Sequence, residues 1–229
     1  MLAVVAAAAM LVLSSQAALA LTPTHVTVGG SSSVADVPFT ASNDGPVDFL
    51  TDFTADPVPM TCSGSTISGV IKRGAAVEAN SVIGHIDSMG SKDCDATGLH
   101  YPWVLEWGEA DIVALGQVTE GQPVPVKITG IDARMHSTGS LPWALDAGLA
   151  NRWGVDLLGM VYLGSGGSDG RLEIHDTAYA LALTAFDGTG TDTPTAGGTF
   201  GGNLYTGDNV KTSGDFELDT DGAGVIDHR

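Results

Sequence analysis

The chain has 229 residues and a formal charge of −18, with no Lys or Arg before Lys72. That balance excludes nucleic acid and anionic membrane surfaces as partners, because both are bound through clustered cations that displace counterions. Asp far outnumbers Glu, and Gly, Thr and Val are abundant while Lys is scarce, which excludes a helical protein and points to a turn-rich β one.

Residues 1–20, "MLAVVAAAAMLVLSSQAALA", read as a secretory signal peptide. The apolar run at 3–13 is too short to span a bilayer, and Ala18-Leu19-Ala20 supplies the small-x-small pattern for cleavage before Leu21. The basic n-region is missing, only the amino terminus of Met1 carrying positive charge there, so the alternatives to cleavage are a start further upstream or a segment retained as a weak anchor. No later stretch reaches a transmembrane length, so no membrane span is expected once the signal is removed. About 209 residues remain, enough for one large β domain, placed at 21–218 and followed by an Asp-rich tail at 219–229.

Short alternating segments follow one another between turn signals: "HVTVGG", "DVPFTAS", "GPVDFLTDF" and "VPMTCSG", then "STISGVIKRG", "SVIGHIDS", "HYPWVLEW" and "DIVALGQVT". In "PVKITGIDARM" the alternation slips at Gly130, where a bulge fits. "LLGMVYLGSGGSDGRLEIHD" predicts a hairpin with arms at 157–163 and 171–175. "DAGLANRWG" could form a single helical turn. "FDGTGTDTPTAGGTFGG", 186–202, predicts a long polar loop before the last strands. Strands at a spacing of about 8 to 12 residues predict an all-β fold, an antiparallel β-sandwich or barrel with long Gly/Thr-rich loops.

The two cysteines, Cys62 and Cys94, are most economically one disulfide in an exported chain. The loop between them, about 33 residues long, would stabilise the fold by roughly 3.7 kcal/mol in the chain-entropy model.

"VTVGG", "PFTAS", "PMTCSGSTISGVIKRG", a strand containing "IGHI" and the second Cys in "DCDATG" together resemble a group of small secreted actinobacterial proteins. Those proteins share an "MTC" strand, a Gly-rich connection and a partner Cys some thirty residues on. The resemblance covers roughly residues 24–218. It implies export, an all-β fold and a disulfide, and it implies no activity. This chain departs from the group in lacking further cysteines in its C-terminal half and in adding the Asp-rich tail.

The tail spells "DTDGAGVID", residues 219–227. Asp219, Asp221 and Asp227 would occupy positions 1, 3 and 9 of a calcium loop, with the Val225 carbonyl at position 7 and Gly224 at the sharp turn. Ala223 replaces the usual carboxylate at position 5, and the chain given ends before position 12. Any Ca²⁺ held there would be weakly bound, on the order of 10⁻⁴ to 10⁻³ M; the alternative is an acidic tail of Asp-Gly turns.

In "LEWGEAD", Glu106 and Glu109 lie beside Trp103 and Trp107, which are four apart and so share a face of one strand. Carboxylates next to exposed tryptophans suit sugar binding, and a carboxylate pair suits glycoside hydrolysis; core packing of the rings is the competing reading. The six histidines form no metal motif. His175-Asp176 near Ser165 or Ser168 lacks a nucleophile context and reads better as turn chemistry.

The function expected is that of a secreted, non-enzymatic cell-surface or extracellular protein, structural or binding. Its partners would be further copies of itself or a cell-envelope polymer. Self-association is expected through unprotected strand edges and cation-bridged acidic faces. The alternatives are a carbohydrate-binding module using Trp103, Trp107, Trp143 and Trp153, or a secreted hydrolase using a carboxylate pair.

Overall fold

The structure, a computed structural model, describes residues 24–52, 58–96, 99–137, 144–151, 155–165, 167–175, 180–189 and 209–229. They are all-β. In chain order the strands are β1 (Thr24–Val28), β2 (Ala35–Asn43), β3 (Val47–Asp52), β4 (Val58–Arg73), β5 (Ala76–Val77) and β6 (Val82–Ala96). There follow β7 (Leu99–Trp107), β8 (Ala110–Ala114), β9 (Val124–Thr129), β10 (Asp132–Ser137), β11 (Ala144–Asn151) and β12 (Leu157–Ser165). The last are β13 (Ser168–His175), β14 (Leu181–Thr189), β15 (Asn209–Asp219) and β16 (Ile226–His228).

The pairings resolve into a barrel of eight staves among the described residues. The staves are β2 with β3 end to end, β4, β6, β7 with β8, β9 with β10, β11 with β12, β13 with β14, and β15. Each stave runs antiparallel to the next in sequence. The eighth returns to the first: β15 pairs with β13 and β14 on one side and with β2 and β3 on the other. The fold is therefore an up-and-down meander closed on itself, the barrel member of the expected pair of architectures.

Alternation within the staves explains why this sequence closes. In β2, Val37, Phe39 and Ala41 are buried while Asp36, Pro38, Thr40 and Ser42 are exposed. In β9, Val124, Val126 and Ile128 point inward. Beyond Gly130, whose φ is +77°, the buried set switches to Ile131, Ala133 and Met135. The predicted slip is thus real: it keeps the apolar face inward across the junction of β9 and β10. Similar breaks lie beside one another in neighbouring staves. Asn43 accepts from the Ser65 amide (2.9 Å) and donates to the Ser63 carbonyl (3.1 Å). It thereby ties the gap between β2 and β3 to the part of β4 where the buried set passes from Met60 and Cys62 to Ser65 and Ile67. Phe49, Phe216, Ile67, Leu105, Ile128 and Leu172 are fully buried in the interior, each worth about 1.5–3 kcal/mol relative to exposure.

Cys62 and Cys94 form a disulfide at directly paired positions of β4 and β6, both buried. It staples two adjacent staves from the inside.

β1, β5 and β16 form a separate three-stranded sheet, with β1 in the middle. That sheet caps one end of the barrel. Val26 and Ile226 from the cap meet Ile71, Ile83, Ile112, Val124 and Val161 from the stave ends, leaving a cavity of only about 20 Å³.

Two local expectations are corrected. Residues 144–151, expected to include the start of a helical turn, are strand β11, because ladders to β10 and β14 on both sides outweigh the helix propensity of Ala and Leu. Likewise 186–189, assigned to the polar loop, continue β14; the rest of that predicted loop lies outside the described residues. The hairpin at 157–175 forms as expected, with Ser165 opposite Ser168.

Candidate functional site

The tail is built as a clasp. Thr220, 3% exposed, donates its amide (2.9 Å) and its hydroxyl (2.7 Å) to Oδ2 of Asp169 at the start of β13. Those two hydrogen bonds, backbone first, hold the Asp169 carboxyl below its ordinary pKa. The Thr220 hydroxyl also accepts from the Gly224 amide (3.1 Å). Asp219 Oδ1 accepts from the Asp221 amide (2.8 Å), an Asx turn. The Val225 carbonyl accepts from Gly29 (3.0 Å), and Asp227 Oδ1 from the His228 amide (2.7 Å). One oxygen each of Asp219, Val225 and Asp227 thus accepts a turn or ladder bond. No three His, Cys, Asp or Glu side chains among the described residues are grouped to hold a metal ion. The glycines have another use: a Cβ on Gly29 would sit 2.4 Å from the Ala223 carbonyl, and Gly224 packs on Gly29 Cα. "DTDGAGVID" spells a tight turn docked against the N-terminal strand.

The sheet separates the candidate sugar site. Trp107 is buried at 6% exposure and packs against Phe49, ring centroids 6.4 Å apart. Glu106 is exposed on the opposite face of the strand, and Glu109 is exposed in the gap before β8. Trp107 and Glu106 therefore cannot line one cleft, which corrects that grouping; the period-2 geometry of a strand sends neighbours to opposite sides. Trp103 pairs through its backbone with Cys94 and Ser137, and its side chain lies outside those described. Trp143 and Trp153 also lie outside the described residues.

The outer wall brings together side chains that sequence proximity does not. Glu173 on β13 stands directly opposite Asp215 on β15, and His175 opposite Ser213. With Asp44 they line a shallow groove of about 290 Å³. Glu173 is a hub: His175 Nε2 contacts its Oε1, and Arg171 Nη2 lies 3.5 Å from its Oε2. The hydrogen bond from Tyr162 to Glu173 raises the phenol pKa, with burial and the carboxylate charge adding to the effect. The Arg171 guanidinium lies over the Tyr162 ring at 4.2 Å. Histidine 175 thus finds Glu173 on its own strand and Ser213 across the ladder; Asp176 lies outside the described residues. A second groove, about 330 Å³, runs over β2, β4 and β6, where Thr40, Ser42, Thr66, Ser68 and Ser88 meet Glu217 and Asp219. Elsewhere on the wall His85 Nδ1 bonds Asp111 Oδ1 at 2.8 Å.

Sequence reasoning missed the Glu173–Asp215 opposition because the two are far apart in the chain. Only the register of β13 on β15 places them side by side. No family model, curated protein or solved structure matches the chain.

Proposed function

We propose that this chain is an exported, non-enzymatic protein of the cell surface or extracellular medium, structural or binding, that works through its outer face and associates with copies of itself or with an envelope polymer. The observation that carries the reading is the division between the two faces of the wall. Inward positions are mostly apolar side chains, with the disulfide and a buried Ser65–Ser91 hydrogen bond (2.7 Å), while many outward positions carry hydroxyls and carboxylates. A partner must therefore be met from outside. The disulfide is compatible with an oxidising compartment. No helix among the described residues is long and apolar enough to cross a membrane, and the described outward positions, such as Thr40, Ser42, Thr66, Ser88 and Glu217, suit water better than lipid. Kinship with the small secreted actinobacterial proteins belongs to the same proposal.

Closure of the barrel changes the expected route of association. The closed wall leaves little strand edge among the described residues, chiefly β14 beyond Ala182, which is laddered to β11 on one side, so acidic faces bridged by divalent cations are the favoured route. The test is to express the full chain in a secreting bacterial host. The expected product begins at Leu21, sits in the medium or envelope fraction and carries no free thiol. Sedimentation velocity of that product in millimolar calcium should give a larger coefficient than in chelator. An intact leader on a cytoplasmic protein with two free thiols sinks the export reading, and one unchanged monomer in both buffers sinks the calcium-bridged one.

One observation favours a second reading. Glu173 and Asp215 are paired across the ladder and line one groove, which brings together the two residue types that a hydrolase with a carboxylate pair uses. Hydrolysis of a polysaccharide by the wild type that is lost in both Glu173→Gln and Asp215→Asn would establish it in place of the first.

A further inference from the structure

We infer that β1 is an exchangeable strand: on assembly, β1 of one copy leaves its own slot and fills the slot between β5 and β16 of a neighbouring copy. This rests on the self-association reading above and supplies a direct chain-to-chain contact.

Three observations converge on β1. It is the central strand of the small cap sheet, bonded on both sides. Val26 and Thr27 pair with His228 and Asp227 of β16, and Thr24 and His25 with Val77 and Ala76 of β5. It buries Val26, Thr27 and Val28 to 5%, 2% and 1% exposure. Without a strand there, the carbonyls of Ala75 and Arg229, which accept from Val26 and His25, and the apolar barrel mouth would face water.

β1 is also joined to the barrel by a single connection. That connection turns at Gly29 and Gly30, with φ of +59° and +76°, and runs through three serines to Val34, 90% exposed. Glycine takes extended and left-handed conformations alike, so straightening strains neither residue of the turn, at the loss of the two Val28–Ser31 bonds (3.1 Å each). From Val28 to Ala35 the straightened link reaches at most about 24 Å. Exchanging copies must therefore meet at their capped ends. With the leader cut before Leu21, the strand begins close to a free amino terminus, and nothing has to be threaded.

The physical driving force is the one that governs strand exchange in general. The ladder bonds of β1 to β5 and β16 are remade in the neighbour, so the balance depends on concentration and on the link, whose own Val28–Ser31 bonds are given up. A short flexible link holds β1 at an effective concentration of about 1 mM in its own slot. Exchange should thus be sparse in dilute solution and prominent when copies are crowded at a surface. β16 is the poorer candidate, being three residues long and anchored to its own barrel by Thr220 and Asp169.

Two single variants, His25→Cys and Ala76→Cys, test the idea. The positions face each other across β1 and β5. Mixed, unfolded and refolded together at about 1 mM, they should give a disulfide-linked dimer of one chain of each kind, at least about ten-fold more than at 1 µM. The double variant should instead link within one chain and abolish the assembly that the wild type shows. An unlabelled peptide of residues 21–28 should reduce the mixed dimer several-fold by competing for the slot. If no mixed dimer forms while the double variant does link internally, strand exchange is wrong. If the locked double variant assembles as well as the wild type, self-association stands and β1 is not its means. If the wild type stays monomeric throughout, the self-association reading itself fails.

Discussion

Gly69, in the middle of β4, has room for no methyl group: a Cβ there would lie 2.1 Å from the His85 carbonyl and 2.9 Å from the Phe39 ring. The ladder between β4 and β6 shifts register at this point, and Phe39 lies over the bare backbone. Gly69→Ala should destabilise the fold by about 2 kcal/mol through overpacking, read as a lower denaturation midpoint at unchanged slope. Trp107 is the residue where the sequence left two readings open. Its ring lies inside the barrel, so Trp107→Ala should cost about 3–5 kcal/mol as a core truncation. The same variant, assayed while still folded, should be retained on polysaccharide columns no differently from wild type. A selective loss of retention at preserved stability would return Trp107 to a binding role. The calcium spelling of the tail has a second use at the same scale. Asp and Gly recur in calcium loops because both suit tight turns, and a turn that docks on a neighbouring strand selects the same letters.

At the scale of elements, the tail is held to the barrel by the clasp of Thr220 on Asp169 and by the hydrogen bond between His228 Nε2 and the Gln122 carbonyl (2.7 Å). The Asp169 carboxyl is held below its ordinary value of 3.8 in the folded protein. Its contribution is therefore full at pH above 3.8 and is lost as the pH falls through the lower, folded value. Wild type should exceed Asp169→Asn in stability at pH 6, by about 1 kcal/mol given the exposure of the group. The two should converge as the pH approaches 2, as measured by parallel denaturant titrations. A gap that is constant with pH would mean that the variant acts through packing and not through the charge. Strand lengths belong here too. Turn signals every 8 to 12 residues were legible, yet many of them mark the waist of a stave and not its end. Gly130 carries a strong turn signal, but the chain continues in the same direction beyond it, because β8 and β7 on the neighbouring stave hold both halves in line. Local chemistry marks a break; only the partner strand decides between a kink and a reversal.

For the whole molecule, two opposing terms dominate. A formal charge of −18 makes the compact state repel itself, and salt relieves that repulsion. Thermal midpoints should therefore rise by several degrees between about 0.05 and 0.5 M sodium chloride; a fall would place net ion pairing above net repulsion. Against the repulsion stands the disulfide between neighbouring staves. Replacing both Cys62 and Cys94 by Ala should remove about 3–4 kcal/mol, visible in the denaturation midpoint. A much smaller loss would show that the hairpin is already ordered in the unfolded chain.

The sequence alone determined the class of fold, the pairing of its two cysteines and the slip in alternation at Gly130. Each of these depends on residue type and on periods of two, which are local properties. Whether the strands formed a sandwich or a barrel depended on β15 meeting both β2 and β13, a pairing that joins the ends of the chain. The opposition of Glu173 to Asp215, the separation of Trp107 from Glu106 across the wall, and the docking of the tail against Gly29 likewise belong to register and closure. Those are set by the summed packing of eight staves, and no short stretch of the chain encodes them.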